Sequence, residues 1–130
     1  MGIFDSLFKK SAAVNKAAIV GTFESTLKNF KTATADAQVI VGKKIFADLN
    51  LIAQLTPREL PAKQQQLVQK YKDLRNLALR NGATNDRDPN YAYAALMESL
   101  VLSMGDETVA TKIGKDLMNW LASINVVERA

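Results

Sequence analysis

The chain of 130 residues contains neither cysteine nor histidine. Without thiols it has no disulfide framework and no cysteine nucleophile, and without imidazoles it lacks the side chain that most often transfers protons near neutral pH. The same two absences exclude the usual ligand sets of tight zinc and haem sites. Because these gaps remove most classes of enzyme, we expect a protein without catalytic residues, without a metal site and without a cofactor.

Glycine and proline are scarce as well, with 6 and 3 residues, which excludes a collagen-like chain. No apolar run reaches the roughly 18 residues that span a bilayer. The hydrophobic share of 48% and the charged share of 23% are typical of one ordinary soluble domain with a core. The N-terminus shows no secretory pattern, so a cytoplasmic location is the default expectation.

Strand patterns are weak, whereas the long segments are rich in the helix formers alanine, leucine, lysine and glutamine. We predict a single all-α domain over residues 1–130, a compact bundle or orthogonal array of about five or six helices. At its centre we place residues 89–104, which follow Asp88 and Pro89 and are apolar almost all round. Such a helix needs neighbours on every side.

Residues 22–54 keep a helical spacing of apolar side chains, and Gly21 with Thr22 indicates its start. A single helix of that length would span about 50 Å, more than the roughly 36 Å diameter of a compact chain of this size. Either the helix breaks at residues 32–36, with Thr34 capping a second segment, or it projects and packs against another subunit. We favour the break.

Caps and apolar stripes mark two further helices. One runs from about Ala62 to Asn81, after a capping box at Thr56 and Glu59, and ends at Gly82. Its predicted buried stripe is Leu67, Tyr71, Leu74 and Ala78. The last helix starts with Asp106 as its cap. Its apolar stripe consists of Val109, Ala110, Ile113, Leu117, Trp120, Leu121 and Ile124.

Residues 3–10 predict a short amphipathic helix. Its apolar face consists of Ile3, Phe4, Leu7 and Phe8, and Lys9 and Lys10 lie on its polar side. Eight residues cannot hold a helix alone, so this one must dock on its own domain, on a partner or on a membrane surface.

Two motifs resemble sites but are better explained as structure. Asp86, Asp88 and Asn90 match the first three ligand positions of a calcium loop, yet Met97 stands where its bidentate glutamate belongs. We therefore expect a turn and an N-cap there. Glu98 is the one charged side chain of the central helix. We expect it on a wet edge or paired with a lysine, although a desolvated acid there would be typical of a functional site.

The helix over residues 62–81 has a second apolar feature, away from its main stripe. Val68 and Leu79 line up with Lys72 and Arg75 at spacings of four, three and four residues. Either both sides of this helix are buried, or an apolar spot framed by cations is offered to a partner. Residues 1–87 carry 14 basic and 7 acidic side chains, whereas the remainder carries 3 basic and 6 acidic. This division suits self-association or a mixed-charge partner.

The leading hypothesis is a non-enzymatic helical protein–protein interaction module, an adaptor or regulatory subunit, that presents an apolar and cationic surface. Its partner is another protein or a second copy of itself in a homodimer. The predicted partner-binding residues are Ile3, Phe4, Leu7, Phe8, Val68, Lys72, Arg75 and Leu79.

Two alternatives stay open. A peripheral membrane protein would use the helix over residues 3–10. A nucleic-acid-binding helical protein is less favoured, because the basic side chains of residues 62–81 spread around the helix and form no single stripe. We predict no small-molecule substrate.

Overall fold

The structure, a computed structural model, describes the backbone of residues 2–83 and 87–127, and the side chains in those ranges from Lys16 onward. Its elements are α1 (Gly2–Phe30), α2 (Ala35–Ala53), α3 (Leu60–Arg80), α4 (Pro89–Ser103) and α5 (Glu107–Ser123). No strand occurs in the described ranges. The prediction of an all-α fold is confirmed, and five helices agree with the predicted number.

The centre of the fold is α4, which packs against each of the other four helices and most extensively against α3. Nine of its 15 residues are buried. Ala92, Ala94 and Ala95 let neighbouring helices approach closely, and Leu96 and Met97 fill the space between them. The predicted central helix is therefore confirmed.

The predicted break between the first two helices is also confirmed. The last residue of α1 is Phe30, and α2 begins at Ala35. Thr34 lies between them in extended backbone and caps α2, where its hydroxyl accepts a hydrogen bond from the backbone N–H of Ala37 at 3.2 Å. The cap satisfies one of the unpaired donors at the start of α2 and ends the continuity of the helix.

Gln38 connects the turn between α1 and α2 to α5. Its side-chain amide donates to the backbone carbonyls of Lys31 and Ala33, at 3.2 and 2.9 Å. Its carbonyl oxygen accepts from the indole N–H of Trp120 in α5 at 3.1 Å. The Trp120 ring also meets Phe30 edge to face, with centroids 5.9 Å apart. One amide thus ties α2 to α5 and to the turn that follows α1.

The start of α1 differs from the prediction. Gly21 and Thr22 were expected to begin a helix, but α1 runs through them. Ile19 and Phe23 continue one inward face across Gly21. A Cβ added at Gly21 would meet no described atom within 4 Å, so this glycine costs only its poor helix propensity, about 1 kcal/mol. Tertiary packing outweighs that cost, and residues 3–10 are the first turns of α1 rather than a separate helix.

The predicted caps at Gly82 and Asp106 are formed, whereas the predicted capping box closes a separate turn, and α3 has no side-chain cap bond at its N-cap residue Glu59. Thr56 and Glu59 bond reciprocally, each side chain accepting from the other's backbone N–H, in the turn just before α3. Gly82 ends α3 with a φ of 97°, a conformation that glycine adopts without strain. Asp106 caps α5 by accepting from the N–H of Val109 at 3.1 Å, and it pairs with an α1 lysine, Lys16, at 2.6 Å.

The apolar stripes of α3 and α5 face inward as predicted. The buried members are Tyr71, Ala78, Ile113, Leu117, Trp120 and Leu121. Leu67, Leu74, Val109 and Ile124 are partly buried and pack against the same core.

At Gly42, α2 lies close to the end of α5 and the residues that follow it. A Cβ added at Gly42 would lie 2.8 Å from the Cδ1 atom of Ile124 and 3.1 Å from side-chain carbons of Leu121 and Val126. These distances are too short for an ordinary carbon contact. Glycine at this position allows α2 to approach the end of α5 this closely.

We expect Gly42→Ala to lower the free energy of unfolding by about 1 kcal/mol. Overpacking costs about 1–3 kcal/mol, and the better helix propensity of alanine offsets roughly 1 kcal/mol of that. Urea denaturation followed by circular dichroism measures the change. Gly114→Ala in α5 is the matched control, because an added Cβ there meets no described atom within 4 Å. It is expected to stabilise the protein by up to about 1 kcal/mol. Equal effects of the two substitutions would contradict the close approach.

Candidate interaction surface

Four of the predicted partner-binding residues belong to the first turns of α1. These are Ile3, Phe4, Leu7 and Phe8. Their side chains lie outside the described part of the structure. Their role in binding therefore stays a prediction.

The other four predicted residues, all on α3, differ in burial. Val68 is half-buried and packs against the core, and Arg75 reaches a carboxylate on α4. Lys72 and Leu79 are exposed. Burial on both sides, one of the two explanations considered for this helix, applies to Val68. The four therefore do not form one continuous exposed surface, and their role in partner binding stays untested.

Arg75 forms an ion pair with Glu98. The guanidinium donates from Nε to Oε1 at 3.0 Å and from a terminal nitrogen to Oε2 at 3.3 Å. The two side chains are only 28% and 16% exposed. The charged residue of the central helix is thus paired, as expected, but with an arginine in place of a lysine, because two parallel hydrogen bonds need the planar guanidinium.

The apparent calcium-loop residues act as a helix start where they are described. Asp88 caps α4 and accepts from the backbone N–H groups of Asn90 and Tyr91, both at 3.0 Å. This confirms the prediction of an N-cap. Asp86 lies outside the described residues.

A different surface combines exposed apolar side chains with cations. The α2–α3 surface, as we define it, consists of Ile40, Lys44, Ala47 and Leu51 on α2 together with Lys70 and Leu77 on α3. Ile40, Leu51 and Leu77 are 56%, 64% and 46% exposed, which makes them half of the six large exposed apolar residues in the described chain. The spacing of the α2 residues puts them on one helical face.

A pocket of about 250 Å³ adjoins this surface and shares Lys44 and Leu77 with it. It is lined by Lys44, Leu74, Leu77, Ala78, Asn81, Asn90 and Tyr93. Its apolar floor comes from α3 and α4, and one ammonium and two carboxamides lie at its edge. Sites for drug-sized ligands have volumes of about 300–1,000 Å³, so this pocket is smaller than most of them and has room for one side chain.

The Asp48 cluster, as we name it, consists of Asp48, Tyr71 and Tyr93, and the last of these also lines the pocket. The hydroxyls of Tyr71 and Tyr93 both donate to the same carboxylate oxygen of Asp48, Tyr71 at 2.8 Å, so that one acid joins α2, α3 and α4. The two rings meet edge to face, with centroids 5.9 Å apart. The ammonium groups of Lys44 and Lys70 lie 5.7 and 5.2 Å from the centroids of Tyr93 and Tyr71, respectively.

The pKa values of both tyrosines are raised. Burial is the largest cause for Tyr71 and for Tyr93, followed by the hydrogen bond to Asp48 and the repulsion from its carboxylate. Both phenols are therefore held as neutral donors to Asp48.

The described residues hold no group of three or more acidic side chains arranged to bind a metal ion. In the same part of the chain, no helix is long and apolar enough to cross a membrane. Comparison with protein-family models, with curated proteins and with solved structures finds no match to the chain.

Sequence reasoning missed the α2–α3 surface, although a signal was present. Ile40 and Leu51 fall outside the inward stripe of α2 and align with Lys44 at i, i+4 and i+11. This pattern is the same as the one that drew attention to Val68 and Leu79 on α3. Only the packing of the helices distinguishes the exposed set from the half-buried one.

We expect Arg75→Met to lower the free energy of unfolding by about 1–3 kcal/mol, because Glu98 would lose its partner while shielded from water. Combined with Glu98→Gln, the loss should be smaller than the sum of the single effects. Urea denaturation of the four proteins of this cycle gives the coupling. Lys72→Met is the control and should change stability by less than about 0.5 kcal/mol, because Lys72 is exposed. Strict additivity would show that the pair contributes nothing.

The raised pKa values predict sensitivity to alkali. Stabilisation from a group with a raised pKa in the folded state is present below its ordinary pKa, about 10 for tyrosine, and is lost as the pH rises further. In a Tyr91→Phe protein, Tyr71 and Tyr93 are the only tyrosines left. We expect their tyrosinate absorbance to appear only as the helical circular dichroism is lost. Tyrosinate absorbance in a fully helical protein would contradict the Asp48 cluster.

Proposed function

We propose that this protein is a non-enzymatic helical interaction module that docks an acidic partner protein through the α2–α3 surface. The observation that carries the proposal is that Ile40 and Leu51 are exposed on the same face of α2 as Lys44, which lines a pocket together with the exposed Leu77 of α3. Each of these apolar side chains is at least 46% exposed.

The apolar residues would supply the binding energy. Removing exposed apolar area from water contributes roughly 25 cal/mol per Å², and in protein interfaces a few central side chains dominate. Ile40 and Leu51 lie three turns apart on α2, and Leu77 adds the neighbouring helix. A partner element laid along α2 would cover all three residues at once.

The charges favour an acidic partner. Residues 35–81, which include α2 and α3, carry eight basic and four acidic side chains. Three of the acids are occupied within the fold, since Asp48 accepts from two tyrosines, Asp73 from Gln69 and Glu59 from the backbone N–H of Thr56. Among the basic side chains, Arg75 is paired with Glu98. Lys44 and Lys70 remain at the surface beside the apolar residues. Complementary charge speeds association and selects the partner.

The same charges disfavour two other occupants. A second copy docked through this surface would bring like charges together, which is unfavourable. A nucleic acid needs a continuous track of cations along its phosphates, whereas here apolar side chains separate the lysines.

The test is to compare partner capture by two variants of the full chain. In Ile40→Asp/Leu51→Asp the surface is changed by two charges, and we expect retention of the captured protein to fall at least about tenfold. Met118→Asp is the control, because Met118 is similarly exposed on α5 and lies outside the surface. Quantitative affinity purification from the native host with cross-linking measures the loss.

The proposal also requires binding to weaken with added salt and the cross-linked region of the partner to be acidic. Circular dichroism establishes that both variants remain folded. If the double variant retains the same proteins as the control, or if capture goes through nucleic acid or lipid, the proposed function is wrong.

A further inference from the structure

We propose that the pocket of the α2–α3 surface receives an acidic side chain of the partner, whose carboxylate pairs with Lys44 while its stem packs on the apolar floor. This inference rests on the proposed function and specifies how the partner is recognised. In this arrangement the pocket fixes the position of the bound partner along the α2–α3 surface.

The size of the pocket selects a single side chain. Its volume of about 250 Å³ is below that of small-molecule sites, and its floor contains Leu74, Ala78 and the ring of Tyr93. Such a floor accommodates the methylene groups of a glutamate stem. Because the Asp48 cluster fixes Tyr93, the floor is formed before any partner arrives.

The charge of the pocket selects an acid. Lys44 forms no ion pair with any described residue and lies over the Tyr93 ring. The nearest acid along α2 is Asp48, one turn away, and its Oδ2 atom already accepts two hydroxyl groups. A basic side chain entering the pocket would meet the ammonium of Lys44, whereas a carboxylate would pair with it.

The two carboxamides add hydrogen-bond donors and acceptors to the pocket, beside the charge of Lys44. Asn81 follows the end of α3, and Asn90 is in the first turn of α4. An asparagine side chain both donates and accepts hydrogen bonds. Asn81 and Asn90 can therefore bond the peptide groups on either side of the acidic residue, which favours a polypeptide over a free carboxylate.

Two other cavities of comparable size in the described part of the chain do not offer this combination. The groove between α1 and α4 contains Glu98, already paired with Arg75, and no cation lines it. The groove between α1 and α5 is lined by both acids and lysines, including Glu24, Lys28 and Asp116. Among these three cavities, the pocket at Lys44 alone combines a cation with a lining that contains no acid.

The test uses two capped tripeptides, N-acetyl-Leu-Glu-Leu-amide and N-acetyl-Leu-Gln-Leu-amide, with sodium acetate as a free carboxylate. Amide chemical shifts of the full-length protein are followed up to about 10 mM of each probe. We expect the Glu peptide to shift the signals of Leu77, Asn81, Asn90 and Tyr93. Its affinity should exceed that of the Gln peptide by about three- to fivefold, the contribution of an exposed ion pair, and acetate should bind more weakly than either.

Lys44→Gln should abolish the preference for the Glu peptide, and Lys43→Gln should preserve it, because Lys43 is exposed on the same helix and does not line the pocket. The proposal would be overturned by equal binding of the two peptides or by acetate binding as tightly as the Glu peptide. It would also be overturned if the shifts mapped to another cavity or if no signals shifted at all. If these occur while Ile40→Asp/Leu51→Asp still loses its partner, only the pocket proposal fails and the proposed function stands.

Discussion

The apolar circumference of α4 is the constraint on which the rest of the structure depends. A 15-residue helix is about 22 Å long, and this one has no continuous polar face, so it needs a neighbour on every side. Burying each large side chain such as Leu96 or Met97 contributes about 1.5–3 kcal/mol, which favours any arrangement that encloses the helix. The four surrounding helices each need only one inward face to do so. Their outward faces are free of the demands of folding, and a binding surface can develop there without weakening the core.

Enclosure alone would leave the surrounding helices free to slide, and the polar atoms of α4 remove that freedom. Tyr93 and Glu98 cannot be shielded from water without partners, because an unpaired buried polar group costs about 1–3 kcal/mol. Asp48 on α2 and Arg75 on α3 supply those partners. Each of these two pairs can form only when the neighbouring helix has one position along α4. Together they therefore select a single arrangement of the helices from the many that would bury the apolar side chains. Gln38 on α2 does the same for α5 through Trp120.

The features predicted correctly from the sequence are those fixed within a few residues. A break at Thr34, a cap at Asp88 and an apolar helix after Pro89 depend on neighbours along the chain, and the structure contains all three. The misplaced start at Gly21 shows where local preference loses to packing, since about 1 kcal/mol of helix propensity is small beside the face that Phe23 buries. The exposed surface depends on distant pairings, such as Asp48 with Tyr93, 45 residues apart. The spacing of residues in the sequence does not predict such pairs. Without them, the exposed face of α2 and the half-buried face of α3 have the same pattern of apolar and basic residues.

The exposure of Ile40 and Leu51 follows from how α2 is held on its other sides. On one side, Gly42 lies so close to Ile124 and Leu121 that a larger residue would collide with them. On another, Asp48 is held by two tyrosine hydroxyls from α3 and α4. A rotation of α2 that buried its outer apolar residues would break the second contact and replace glycine with a bulkier neighbour at the first. The fold therefore holds α2 in an orientation that keeps these side chains in water, an unfavourable arrangement for the isolated protein that covering by a partner would relieve.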